Sequence, residues 1–269
     1  MLITAIRPKA HQTEEKTQIL QTSAKVVLAG DSKAGKTCLA RRLAEGTYVE
    51  GQDTTHGMQI WTLPAEKLHK DGAPPEGQLR EVFLWDLGGQ DEYQLVNQMF
   101  LHDTTVALVL FDGTRGGVGL ENAEAWNERL AVRGHAAMRK LLVRSKADEP
   151  GVVHEDDVEA MRARLKFRES LAVSAKESTG IVALSEKLHH AIDWQSLVLV
   201  SRPPAFQRIR GQLAEARQRG KCIVYFEELE KQLGQIGHDY SAGGLETTLE
   251  HLAREGQLVD VRLSSGDRV

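Results

Sequence analysis

Six short apolar, β-branched runs limit how this chain can fold: "KVVLAG" (25–30), "MQIWTL" (58–63), "EVFLWD" (81–86), "TVALVLFD" (105–112), "KLLVRS" (140–145) and "SLAVS" (170–174). A strand that is apolar on both of its alternating faces leaves no side for water, so its sheet must be covered above and below. Amphipathic, helix-length segments at 36–45, 92–101, 120–133, 155–166 and 179–193 lie between the runs and can supply that cover. The order predicts an α/β domain with a mostly parallel, six-stranded sheet. One connection differs: "PAEKLHKDGAPPEGQ", 64–78, is rich in Pro and Gly and joins two strands without a helix, which predicts an antiparallel edge hairpin.

The flanks are of another kind. Residues 1–24 are polar, without sustained period, and read as a linker or arm. The paired prolines of "VSRPPAFQ" place a boundary near 200. The order after it is helix, short strand "KCIVYF", two helices and a strand "QLVDVRL" ending in "SSGD", which predicts a partial winged-helix-like α+β module over 201–269. From Pro203 to Val269 there are nine Lys+Arg and ten Asp+Glu, and "GLETTLEHLAREG" carries Glu246, Glu250 and Glu255 against one Arg, so this module is read as contacting protein rather than DNA. Over the whole chain the formal charge is 34 − 38 = −4, which gives no general field for nucleic acid or anionic membrane. Two distant cysteines, no signal-peptide pattern and no membrane-length apolar run fit a reducing, cytoplasmic setting.

"VVLAGDSKAGKTCLARRL" sets Gly30-x-x-x-x-Gly35-Lys36-Thr37 between an apolar strand and an amphipathic helix, the setting of a P-loop. Backbone N–H groups of Gly30, Asp31, Ser32, Lys33, Ala34 and Gly35 can curl around phosphate oxygens, helped by the positive end of the helix. Lys36 would reach the β and γ phosphates, Thr37 would give its hydroxyl to Mg²⁺, and Cys38 follows in the same turn. In "VFLWDLGGQDEY", Asp86 closes an apolar strand, where an acid can hold the metal's water shell. Gly89 can bring a peptide close to the γ-phosphate, and Gln90 can orient an attacking water.

"DLGGQ" resembles the DxxGQ switch of Ras-like GTPases, and "TTHGMQIW" with "WDLGGQDEYQLVNQMFL" is similar to their Roc branch, the Ras-like domains of complex proteins. The resemblance spans about 25 to 200. It extends to bacterial proteins in which such a domain is joined to a COR region and to WD or leucine-rich repeats. It implies that Thr55, with Thr54 as the competitor, completes the Mg²⁺ shell when a γ-phosphate is present. Ser145-Lys146-Ala147-Asp148 looks like the family's Asn-Lys-x-Asp guanine reader with serine in place of asparagine. Lys146 would then lie over the base, Asp148 accept from it, and Ser174-Ala175-Lys176 close over it. Loss of the asparagine should weaken affinity by about 1 kcal/mol, less than tenfold, more than it alters base choice.

The resemblance thus implies a GTP/GDP- and Mg²⁺-binding switch that hydrolyses GTP slowly, on the order of 10⁻⁴ to 10⁻² per second without a supplied arginine. Its partners would be attached domains or other proteins, a second copy of the chain among them. An ATP-binding signalling protein with a winged helix, and a non-hydrolysing scaffold or DNA-binding protein, are the alternatives.

Overall fold

The computed structural model of the protein describes residues 19–50, 58–88, 101, 103–133, 137–202, 204–220, 223–236, 242–254, 258, 261, 263, 264, 266, 268 and 269. The chain divides into two units, one spanning Gln21–Val200 and one that includes Ser201–Val269. In the first, β1 (Ile19–Ala29), β2 (Met58–Pro64), β3 (Gln78–Leu87), β4 (Val106–Asp112), β5 (Arg139–Ser145) and β6 (Glu169–Ala172) form a sheet in the order β2-β3-β1-β4-β5-β6. β1, β4, β5 and β6 run parallel. β2 pairs antiparallel with β3, from Met58 opposite Leu87 to Pro64 opposite Glu81, as the Pro- and Gly-rich connection predicts.

Alternation along each strand feeds two apolar layers. Val26, Leu28, Leu84, Leu108, Leu110 and Val143 face one side, with Leu39 and Leu43 of α1 (Lys36–Glu45) and Leu184 and Leu188 of α4 (Ile181–Ala191). Val27, Phe83, Val109, Phe111 and Leu142 face the other, with Trp126 and Leu130 of α2 (Gly117–Arg133) and Val158 and Met161 of α3 (Glu155–Arg164). The doubly covered sheet follows from those runs, since a fully buried leucine or valine contributes roughly 1.5–3 kcal/mol. α3 needs little apolar character: Glu155, Asp156 and Asp157 in its first turn and Arg162 and Arg164 in its last complement the helix dipole.

The structure departs from the sequence reading at three places in this unit. β1 begins at Ile19, so residues 19–24 belong to the sheet and not to an arm. Polar Gln21 and Thr22 hide the strand from a hydropathy reading, yet both are buried, and the Gln21 amide donates to Glu81 Oε2 at 2.7 Å. A seventh strand, β7 (Leu199–Arg202), pairs with β1. It is only four residues long, with Leu199 and Ser201 exposed and Arg202 buried. The helix expected from 120 begins at Gly117, after a single tight turn at Gly113–Arg115. The expected helix at 92–101 lies outside the described residues except for Leu101.

The second unit holds α5 (Pro204–Gln218), α6 (Phe226–Ile236) and α7 (Ala242–Arg254). Phe206 and Ile209, Leu229 and Leu233, and Leu245, Leu249 and Leu252 form its core at helical spacing. The expected strand "KCIVYF" is not formed at its described residues, Ile223–Tyr225. Ile223 and Tyr225 are exposed, and the Phe226 N–H that opens α6 donates to the Arg268 carbonyl at 2.9 Å. Val261 and Val269 exchange both backbone hydrogen bonds at 2.9 Å. Among the described residues no helix is long and apolar enough to cross a membrane.

Candidate functional site

Parallel β1, β4, β5 and β6 bring their carboxyl ends to one edge of the sheet, where loops of open α/β sheets collect ligands. β1 runs into the phosphate loop. Gly30 has φ +150°, and a Cβ there would lie 2.5 Å from the Leu110 carbonyl oxygen of β4, so only glycine fits. Gly35, at φ +83°, opens α1 in the left-handed region. Between them Lys33 holds φ +65°, an uncommon conformation for a residue with a side chain.

Lys36 is only 6 % exposed. Its ammonium donates to the carbonyls of Gly30 at 2.8 Å and Asp31 at 2.7 Å. Burial pushes its pKa down to about 8, opposed by the negative charges of Asp86 and Asp31. Thr37 Oγ1 donates to Asp86 Oδ2 at 2.6 Å, which ties α1 to the carboxyl end of β3. Asp86 is fully buried. A hydroxyl and a carboxylate meeting beside a phosphate loop form the oxygen donor set that Mg²⁺ prefers, so the residues fit that ion. Cys38 is half-buried, and burial raises its thiol pKa, so it is no ready thiolate.

Next along the edge, β5 ends at Ser145 and is followed by Lys146, Ala147 and Asp148. Buried Ser145 donates from Oγ to the Phe111 carbonyl at 3.0 Å. Lys146 sits at φ +56° and donates to Asp112 Oδ2 at 2.6 Å. Burial pushes the Asp112 carboxyl up, but hydrogen bonds from Lys146 and from the side chain and backbone of Thr114 outweigh it and hold the carboxyl below the usual range. Asp148 is exposed. The Ala147 N–H donates to the Val173 carbonyl at 3.0 Å, which sets this turn against the loop of Ser174, Ala175 and Lys176. Ser174 is fully buried, and its Oγ accepts from the Glu177 N–H at 2.9 Å. Thr54, Thr55, His56, Gly89 and Gln90 lie outside the described residues.

The family described as "Ras of Complex, Roc, domain of DAPkinase" matches residues 25–148. The chain carries a Ras-like GTPase domain of the Roc type. It is 28 % identical to the Ras-related protein Rab-19 of Bos taurus over 159 residues, 58 % of this chain and 69 % of the relative. It is 25 % identical to the Ras-related protein RABD2a of Arabidopsis thaliana over 204 residues, 74 % of this chain and 95 % of the relative. Ligands of a Ras-like domain are GTP and GDP with Mg²⁺.

Three side chains that sequence reasoning passed over join the parts of this Roc-type domain. Arg42 of α1 donates from Nε to the Ala175 carbonyl at 2.7 Å and from Nη2 to the Lys176 carbonyl at 3.1 Å. Trp126 is buried and donates from Nε1 to Asp31 Oδ1 at 3.1 Å. Asp112 is the third. Of these only Asp112 had a visible signal, an acid that closes an apolar strand as Asp86 does. Arg42→Ala is expected to speed GDP release roughly tenfold, because the loop of Ala175 and Lys176 loses two charge-assisted bonds. Stopped-flow displacement of a fluorescent GDP analogue measures it, and a wild-type release rate would show that the loop holds its place without Arg42.

Proposed function

We propose that this chain is a guanine-nucleotide switch that hydrolyses GTP slowly and passes its nucleotide state to attached domains or partner proteins. The observation that supports it best is the meeting, at one sheet edge, of the phosphate loop with the Lys146–Asp148 turn and the Ser174–Lys176 loop, joined through Arg42.

In this reading the N–H groups of Gly30 to Gly35, together with the start of α1 at Lys36, Thr37 and Cys38, hold the phosphates. Lys36 turns its ammonium from the carbonyls it now bonds toward the β and γ phosphates, where it stabilises the charge that grows during transfer. Thr37 would ligate Mg²⁺ directly and Asp86 through water, with Thr55 added in the triphosphate state; bound there, the ion neutralises phosphate charge. Gln90 orients the attacking water, and the peptide at Gly89 senses the γ-phosphate. Lys146, Asp148 and the Ser174–Lys176 loop read guanine. The serine at 145 spends its hydroxyl on β4, so this site is expected to hold nucleotide less tightly than one with asparagine there.

Residues up to about 200 form the switch, and residues 201–269 a protein-contacting module. Exposed Glu246 and Glu250 on α7 support protein over DNA as its partner. A reducing compartment such as the cytoplasm suits a chain whose Cys38 is half-buried and unbridged.

The test is a competition titration against a fluorescent GDP analogue with and without Mg²⁺. GTP and GDP are expected to displace it at least 100-fold better than ATP, about 3 kcal/mol, well within what a hydrogen-bonding site can discriminate. Equal displacement by ATP would sink the reading.

A further inference from the structure

Asp112 is the last residue of β4 and is 7 % exposed. Its two carboxylate oxygens have separate tasks. Oδ1 accepts from the Thr114 N–H at 3.0 Å and from Thr114 Oγ1 at 2.6 Å, a local turn that fixes the plane of the carboxylate. Oδ2 accepts from the Lys146 ammonium at 2.6 Å, across 34 residues of chain.

Lys146 is held at its other end as well. Its φ of +56° is a conformation a lysine adopts only when its surroundings impose it. The Glu149 N–H donates back to the Lys146 carbonyl at 3.0 Å. Ala147 is bonded to Val173, and Ser145 to Phe111. With backbone and ammonium both fixed, the four-carbon stem between them has few rotamers left. A free lysine on the rim of a loop would have many.

We propose that Asp112 is a positioning residue for nucleotide binding, one that holds the Lys146 stem in the plane where it covers the base. This rests on the reading of Lys146 as part of the guanine site. A lysine already ordered before nucleotide arrives gives up less freedom on binding, so the ion pair should slow nucleotide release. The end of β4 serves the base turn twice, through the Phe111 carbonyl and through the Asp112 carboxylate.

A double-mutant cycle on the full chain tests it, with release of a fluorescent GDP analogue as the readout. Asp112→Asn keeps an acceptor for Thr114 but removes the charge facing Lys146. Release is expected to quicken roughly 10- to 100-fold, the size of one hydrogen bond to a charged group. In a Lys146→Met background the same change should alter release less than twofold, because there is no ammonium left to hold. A purely structural role would instead speed release equally in both backgrounds, and that result would overturn the proposal. So would wild-type release in Asp112→Asn alone. Melting without nucleotide checks that each variant folds. Should Asp112→Asn unfold, Asp112→Glu, which keeps the charge but displaces it by one methylene, carries the same expectation. A wild-type chain that takes up no GDP would remove the guanine reading and this inference together. A binding-competent chain whose Lys146→Met variant is impaired while Asp112→Asn is not would remove this inference alone.

Discussion

Asp148→Asn should turn the base preference from guanine toward xanthine. Guanine offers two neighbouring donors, N1–H and the exocyclic amine, and a carboxylate can accept both. An asparagine amide can accept one and must present its own N–H to the other, where xanthine carries a carbonyl. Two hydrogen bonds to a charged acceptor are at stake, so GDP affinity should fall roughly 10²- to 10⁴-fold while xanthosine diphosphate gains. The position suits the change: Asp148 is exposed at the tip of a turn whose neighbours are bonded to Val173, just past β6, and to each other, so the fold does not depend on its charge. Competition between the two diphosphates measures the shift. An unchanged ratio would take Asp148 out of the base site.

The second large effect is expected at Lys36. Lys36→Met should remove the gain in melting temperature that GTP with Mg²⁺ gives and lower the hydrolysis rate roughly 10²- to 10³-fold, the range for losing one preorganised donor at a site of developing charge. The nucleotide-free protein should still melt cooperatively, because the buried ammonium is poorly solvated there, as its lowered pKa reflects. Single-turnover hydrolysis and thermal melts, each with and without nucleotide, give the two readouts. Hydrolysis within about threefold of wild type would mean that Lys36 does not act on the phosphates.

How much of this could be read from the chain depends on which force fixes each part. Strands such as Val106–Asp112 are apolar on both faces, and their burial is written in composition, so these strands and α1 emerge with nearly their observed limits. The first turns of β1 do not, because Gln21 is buried by a hydrogen bond to Glu81, and a polar side chain with a distant partner looks like a polar side chain in water. The phosphate-loop and base-reading motifs stand out in the sequence because each is local, a fixed spacing of glycine, lysine and acid. Arg42 is not, since what it does depends on carbonyls more than 130 residues away. In the second unit the helices show through their leucine spacing. "KCIVYF" has strand-like residues, yet Ile223–Tyr225 forms no strand, since a strand also requires a neighbour to pair with.

The close approach of Gly30 to the Leu110 carbonyl has a mechanical consequence. Where an added Cβ would meet a carbonyl oxygen at 2.5 Å, the first turn of the phosphate loop is seated flush on β4 with no slack toward the sheet. It therefore behaves as part of the rigid floor rather than as a moving loop. Whatever rearrangement accompanies a change of nucleotide must be borne by segments that hang off the sheet edge, and the phosphates then serve as the fixed point against which those segments move.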